Sequence, residues 1–144
     1  MTRFTGVWPA LVTPLTAQDH INVDVTRRLV DYLIEAGVGG FYVCGGTGEG
    51  ILLPLNERKK MAETVIEQVN RRVPVMIHVG ATATADALIL AQHAEKAGAD
   101  AVAAIPPFYY KVGFEAVCEH YALIAGASAL PLYLYYIPSA TGVD

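Results

Sequence analysis

The stretch Gly40-Phe41-Tyr42-Val43-Cys44-Gly45-Gly46-Thr47-Gly48-Glu49-Gly50 (GFYVCGGTGEG) leads from a short apolar run into a glycine-rich turn, and a helical pattern follows it. An apolar run too short for a helix, closed by glycines and followed by three- and four-residue periodicity, reads as a strand, a turn and a helix. Glycine permits a sharp turn and lets a ligand approach the main chain. Two readings therefore stay open for GGTGE: a tight connection with no ligand, or a cradle for something small.

Working outward, the same unit recurs. Apolar runs rich in Val, Ile, Tyr and Phe occupy residues 7–12, 40–43, 73–78, 101–105 and 132–137. They lack clean alternation, which suits parallel strands covered on both faces. Helical patterns fill the gaps. Asn22 is placed to cap a helix with Val25, Leu29, Leu33 and Ala36 on one side and Gly37 past its end. Asn56 is placed to open a second helix carrying Met61, Val65, Ile66 and Val69, and Thr84 a third carrying Leu88, Ala91, Ala94 and Ala97 with Gly98 behind it. A fourth runs from Phe114 to about Ala125. The second to fifth strands start about 30 residues apart, the spacing of consecutive βα units with right-handed crossovers. An open doubly wound sheet and a (β/α)8 TIM barrel both begin this way. A complete barrel takes about 250 residues, and no helix pattern follows the fifth strand. The expected fold is α/β: the N-terminal part of a (β/α)8 TIM barrel, about five strands and four helices, with 1–144 as one portion of a single domain.

Composition narrows the function. The 144 residues are 53% hydrophobic and 17% charged, ample for a buried core, and the net charge of −4 argues against nucleic acid or an anionic membrane as partner. Two cysteines, Cys44 and Cys118, make neither a disulfide framework nor a zinc site, and a reducing, cytoplasmic setting is expected. The opening residues MTRFTGVWPA lack the apolar core of a signal peptide, and no run approaches a membrane span.

In either α/β architecture the site lies beyond the carboxyl ends of the strands. There this chain places Thr13-Pro14, GGTGE, His78-Val79-Gly80, Pro106-Pro107-Phe108-Tyr109-Tyr110 and Tyr135-Tyr136-Ile137-Pro138. No Cys/His grouping has zinc spacing, so no metal is expected. GGTGE is neither a P-loop nor GxGxxG, which disfavours a nucleotide. Exposed backbone N–H groups and one Thr hydroxyl suit a smaller anion, a carboxylate or a lone phosphate. Five of eight tyrosines (Tyr109, Tyr110, Tyr133, Tyr135, Tyr136) fall in or beside the last two strands; such aromatics mostly pack, although a phenol in a dry pocket can relay protons. His78 reads as a buried, hydrogen-bonded histidine, while His20, His93 and His120 read as solvated. Glu49 reads as a partner for N–H groups of its own turn.

ALVTPL near the start, GGTGE, PPFYY and LYYIPSATG occur in an order and spacing that resemble the N-acetylneuraminate lyase and dihydrodipicolinate synthase family of pyruvate-dependent class I aldolases. The resemblance covers essentially the whole chain. It implies a (β/α)8 barrel, commonly a homotetramer, that uses no cofactor and forms a Schiff base between pyruvate and a lysine. It further implies that Gly46 and Thr47 hold the pyruvate carboxylate. Tyr135 would shuttle protons around the carbinolamine, and Tyr109 would be lent to the site of a neighbouring subunit.

Three departures qualify it. Gly46 stands where the family usually has Thr or Ser, which removes a hydroxyl and resembles the sugar-acid dehydratase variant. Ala140 stands where the synthase branch carries Arg, which argues against dihydrodipicolinate synthesis. HVGATATADALILAQHAEKAGAD and PFYYKVGFEAVCEHY are closer to the sialic-acid lyase branch. The family's lysine lies at the end of the sixth strand, beyond this chain, and Lys59, Lys60, Lys96 and Lys111 do not match it. The resemblance thus implies a lyase cleaving a 2-keto-3-deoxy sugar acid to pyruvate and an aldehyde, with these residues incompetent alone. A dehydratase or a dihydrodipicolinate synthase is the alternative, and a non-catalytic half-barrel that binds or assembles is the alternative of another class.

Overall fold

The computed structural model describes residues 4–143; Met1–Arg3 and Asp144, the ends of the expected 1–144 domain, lie outside the described residues. Helix and strand alternate: α1 (Val23–Glu35), β1 (Phe41–Val43), a single 3-10 turn (Gly50–Leu52), α2 (Leu55–Val69), β2 (Val75–His78), α3 (Thr84–Ala97), β3 (Ala101–Ala104), α4 (Phe114–Ala127), β4 (Leu132–Leu134) and the short α5 (Pro138–Thr141). The four strands are parallel in the order β1-β2-β3-β4, with Val43 level with Ile77, Ile77 with Val102, and Val102 with Leu132.

Among the described residues there are thus four strands where five were expected. The run at 7–12 is extended beside β1 but makes only an isolated bridge, Ala10 to Tyr42. Gly39 and Tyr42 donate to the carbonyls of Val7 (2.8 Å) and Pro9 (3.2 Å), and Leu11 donates to Tyr42 at 2.9 Å. Pro9 has no N–H to give back, so a regular ladder does not form although the strand's place is filled. The helix count rises to five because Pro138 starts one further turn at the end of the chain.

Helix boundaries follow their caps. Asn22 Oδ1 accepts from Val25 N at 3.1 Å, and Gly37 (φ 86°) takes the left-handed position after α1. Asn56 does not open α2. That helix begins a residue earlier behind Pro54, whose carbonyl accepts from Arg58 N at 3.0 Å, and the Asn56 amide turns to Glu57 instead. Thr84 is the first residue of α3 without capping it; its hydroxyl meets His120 Nδ1 at 2.9 Å.

Strand alternation gives the sheet two unlike faces. Val43, Val75, Ile77, Val102 and Ala104 join Met61, Val65, Leu90, Ala94 and Ile124 of the helices in one buried core. Burying one such aliphatic side chain stabilises by about 1.5–3 kcal/mol. The opposite alternation carries Tyr42, Met76, His78, Ala103 and Tyr133, the face away from the helices.

One buried carboxylate ties the loop before α1 to α2. Glu57 accepts Ile21 N at 2.8 Å and faces His20 Nδ1 at 3.2 Å, which together hold its carboxyl below the usual carboxylate range, the Ile21 bond contributing most. A lowered pKa contributes stability above the unfolded value of about 4.3 and loses it as pH falls through the folded value. Glu57→Gln should therefore lower the thermal midpoint at pH 7, and the gap from the parent should close as pH drops below about 4. A gap that stays constant in a pH series would contradict this.

Candidate active site

The four glycines after β1 do different jobs. A Cβ on Gly45 would fall 2.3 Å from Tyr42 Cε1, one on Gly48 2.7 Å from the Leu11 carbonyl oxygen, and one on Gly50 1.8 Å from that of Cys44. Those three are required by packing. Around Gly46 nothing lies within 4 Å and its φ is not left-handed, so the fold itself does not demand a glycine there.

The turn is held by Glu49 N to Gly46 O (3.0 Å), Gly50 N to Gly45 O (3.2 Å) and the Thr13 hydroxyl to Gly48 O (2.6 Å). Cys44 (φ 59°) and Glu49 (φ 52°) take left-handed conformations, which wrap the backbone around the turn. Gly46 and Thr47 are left exposed at its crest. Among the described residues their N–H groups donate to no backbone carbonyl. Glu49 is exposed and makes no capping bond, so its expected pairing with its own turn is not formed.

Tyr135 sits just past β4, its N–H donating to Ala104 O at 2.8 Å and its ring half-buried. The ring meets those of Tyr42 and His78 edge-on, with centroids 6.1 and 6.3 Å away. Tyr42 thereby connects the glycine turn, through Gly45, to Tyr135. Gly46, Thr47 and Tyr135 are thus gathered at one rim, the carboxyl end of the sheet. Tyr109 is not. It projects from the loop after β3, 84% exposed, with φ 78° and its ring against Tyr110 at 4.9 Å. A left-handed tyrosine is strained.

Behind the rim lies a buried cation. Arg58, 4% exposed on α2, donates from Nη1 to Gly80 O at 2.9 Å and from Nη2 to His78 O at 2.7 Å. Burial lowers its pKa from the usual value. His78 is buried as expected, with Nδ1 3.1 Å from Cys44 O. Burial, and then the Arg58 charge, push it down to about 4, so the ring is neutral. Burial likewise raises the Tyr42 phenol and moves the Cys44 thiol up to about 11, an unreactive protonated form.

The other histidines depart from the solvated reading. His120 is buried against Thr84, His93 Nε2 meets Glu63 at 2.7 Å, and only His20 is largely exposed, beside Glu57. Lys60, Lys96 and Lys111 are exposed and Lys59 is half-buried on α2, so none of the four is buried at the rim. Among the described residues no group of three His, Cys, Asp or Glu is placed to hold a metal. No helix among them is long and apolar enough to cross a membrane. A concavity of about 500 Å³ between Asn70, Arg72, Pro74, Gly98 and Asp100 lies at the opposite end of the sheet, the end that serves stability in (β/α)8 barrels.

Sequence reasoning missed Tyr42 and Arg58 and read His78 only as a buried residue. The usable signal was spacing: Tyr42 and His78 are each followed, three and two residues later, by a glycine on which the ring rests.

Comparison with known proteins places this architecture. The family model described as "Dihydrodipicolinate synthetase family" matches residues 3–144. The N-acetylneuraminate lyase of Escherichia fergusonii is 41% identical over 143 residues, 99% of this chain and 48% of that protein. Among solved structures, YagE, a prophage protein of the dihydrodipicolinic acid synthase family from E. coli K12 in complex with pyruvate, superposes with a TM-score of 0.94 at 40% identity, over 96% of this chain and 47% of that one. A catalytic-lysine mutant of Ruminococcus gnavus sialic acid aldolase gives a TM-score of 0.96 at 33% identity, over 99% of this chain and 47% of its own. The chain spans about half the length of the curated relatives it matches. With its parallel βα units and its glycine turn after β1, the chain belongs to the dihydrodipicolinate synthetase family and forms the N-terminal part of that family's TIM barrel.

Proposed function

We propose that residues 1–144 are the 2-oxo-acid-binding portion of a single-domain, Schiff-base-forming aldolase that cleaves a 2-keto-3-deoxy sugar acid, N-acetylneuraminate in type, to pyruvate and an aldehyde. The observation that carries this reading is the open Gly46–Thr47 crest, set at the same rim as Tyr135. Its N–H groups and the Thr47 hydroxyl bind the carboxylate. A neutral lysine amine from outside these residues adds to C2, forming a C–N bond as the carbonyl π bond breaks and its oxygen takes up a proton. Loss of that oxygen as water leaves an iminium, which accepts the electron pair of the breaking carbon–carbon bond. Tyr135 gives and takes the protons. The buried neutral His78 and buried Arg58 supply no anion at the rim that would hold the amine protonated.

The exposure of Tyr109 supports its donation to the site of a second copy, as in a homotetramer, and two unpaired cysteines fit a cytoplasmic enzyme. A dehydratase on a related sugar acid is the second reading, favoured by the missing side chain at Gly46. The products separate the two: pyruvate and an aldehyde, or a dehydrated keto acid. Ala140, exposed on α5, supplies no cation for a second carboxylate, which weighs against dihydrodipicolinate synthesis.

Borohydride reduction in the presence of pyruvate, read by intact mass, tests the chemistry. We expect an adduct on the complete protein containing this sequence and none on the 144-residue chain. Absence of an adduct on both would overturn the aldolase reading.

A further inference from the structure

Two buried polar atoms without a hydrogen-bond partner belong to neighbouring rings on the face away from the helices: the Tyr42 hydroxyl and His78 Nε2. The two rings meet at 6.2 Å between centroids, and each also touches Tyr135. Both are seated on glycines, since a Cβ on Gly45 would fall 2.3 Å from the Tyr42 ring and one on Gly80 2.8 Å from His78 Nε2. The chain thus forgoes a side chain twice where these rings lie. Buried polar atoms in folded proteins are nearly always paired, so each orphan calls for an explanation.

The hydrogen count on the pair is determined. A carbonyl oxygen can only accept, so His78 Nδ1, at 3.1 Å from Cys44 O, carries the ring hydrogen. The neutral ring then presents a bare lone pair at Nε2. Tyr42 remains a phenol with a hydrogen to donate. One acceptor and one donor are therefore carried by two rings whose centroids lie 6.2 Å apart, each in contact with Tyr135.

We propose that Tyr42 and His78 bind the hydroxyl group on C2 of the tetrahedral adduct formed from the 2-oxo acid, Tyr42 donating to its oxygen and the hydroxyl donating to His78 Nε2. This rests on the 2-oxo acid reading of the Gly46–Thr47 turn. The Tyr42 ring lies against both Gly45 of that turn and Tyr135, which sets it on the side of the turn where the proposal places C2. A ketone oxygen only accepts and satisfies Tyr42 alone; a tetrahedral hydroxyl both accepts and donates and satisfies the two. The pair therefore favours the adduct over the free keto acid, which is the differential binding that speeds a reaction.

Lactate and propionate separate this contact from the carboxylate contact, because they share the carboxylate and differ by the C2 hydroxyl. In the complete protein, each is set to compete with pyruvate for borohydride-trapped adduct. Lactate should compete about tenfold better than propionate in the parent, the size expected for net hydrogen bonds of this kind. Tyr42→Phe and His78→Phe should each bring the ratio near one and leave propionate unchanged, while the double variant loses nothing further. A ratio that survives both substitutions overturns the proposal. Should His78→Phe fail to fold, Tyr42→Phe, which keeps its ring on Gly45, decides alone. If the parent forms no adduct with pyruvate, the 2-oxo acid reading has failed and this proposal falls with it, an outcome distinct from an unchanged ratio.

Discussion

Tyr135→Phe in the complete protein should lower kcat by about 10²–10⁴-fold, the range for a lost proton-transfer group, while KM for the sugar acid moves by no more than about threefold. The geometry makes this a clean experiment. The position is anchored through the backbone, Tyr135 N to Ala104 O at 2.8 Å, and the ring is wedged against Tyr42 and His78. Phenylalanine keeps all of those contacts and removes only the oxygen. In barrier terms the loss is about 3–5 kcal/mol, more than packing could lose in an isosteric exchange. Steady-state kinetics with the parent as reference provide the test. A raised KM with kcat unchanged would make Tyr135 a binding residue and return the proton transfers to another group.

Arg58→Met should cost the complete protein about 2–5 kcal/mol of folding stability, from about 1–3 kcal/mol for each of two buried carbonyls left unsatisfied. Methionine matches much of the side chain's length but leaves the carbonyls of His78 and Gly80 without the guanidinium that spans them. Both carbonyls lie at the end of β2, where the chain turns from core into rim, so the loss extends to the site: the loop carrying His78 should loosen and the yield of pyruvate adduct fall. Arg58→Lys recovers at most part of this, since one ammonium lacks the planar fork that reaches two carbonyls at once. Urea unfolding reads the effect. A shift below about 1 kcal/mol would show that water reaches those carbonyls, and that Arg58 is buried in name only.

What could be read in the sequence was the periodic part. Asn22, Gly37 and Gly98 mark helix ends because capping is a local interaction that the backbone settles within a few residues. The parallel strands were legible from recurring apolar runs for the same reason. The errors came where a residue answers to something distant. Asn56 resembles a cap, yet Pro54 supplies the turn and Glu57 takes the amide. Pro9 looks harmless in an apolar run, yet a missing N–H reduces a strand to a bridge. His120 lies in a weakly patterned helix and is buried because Thr84, 36 residues earlier, meets it.

The site divides in the same way. Gly46, Thr47 and Tyr135 were singled out by their motifs, and the fold sets them at one rim. Arg58 was invisible because it lies in a run of charged residues on a helix, where solvent is the ordinary destination, and only the fold reveals that it points inward. The four glycines after β1 are told apart only by the fold, because composition treats Gly45, Gly46, Gly48 and Gly50 alike.

That inequality sets which mutations this loop can explore. Any side chain at Gly50 collides with the Cys44 carbonyl, and one at Gly48 meets that of Leu11, so those positions are closed to variation by the fold. At Gly46 the same change meets open space. A lineage can therefore gain or lose a hydroxyl, a methyl or more at the edge of the proposed carboxylate site in a single step, without a stabilising change elsewhere to permit it. Selection for a new substrate would act on this residue first, and a laboratory library confined to it would keep nearly all of its members folded.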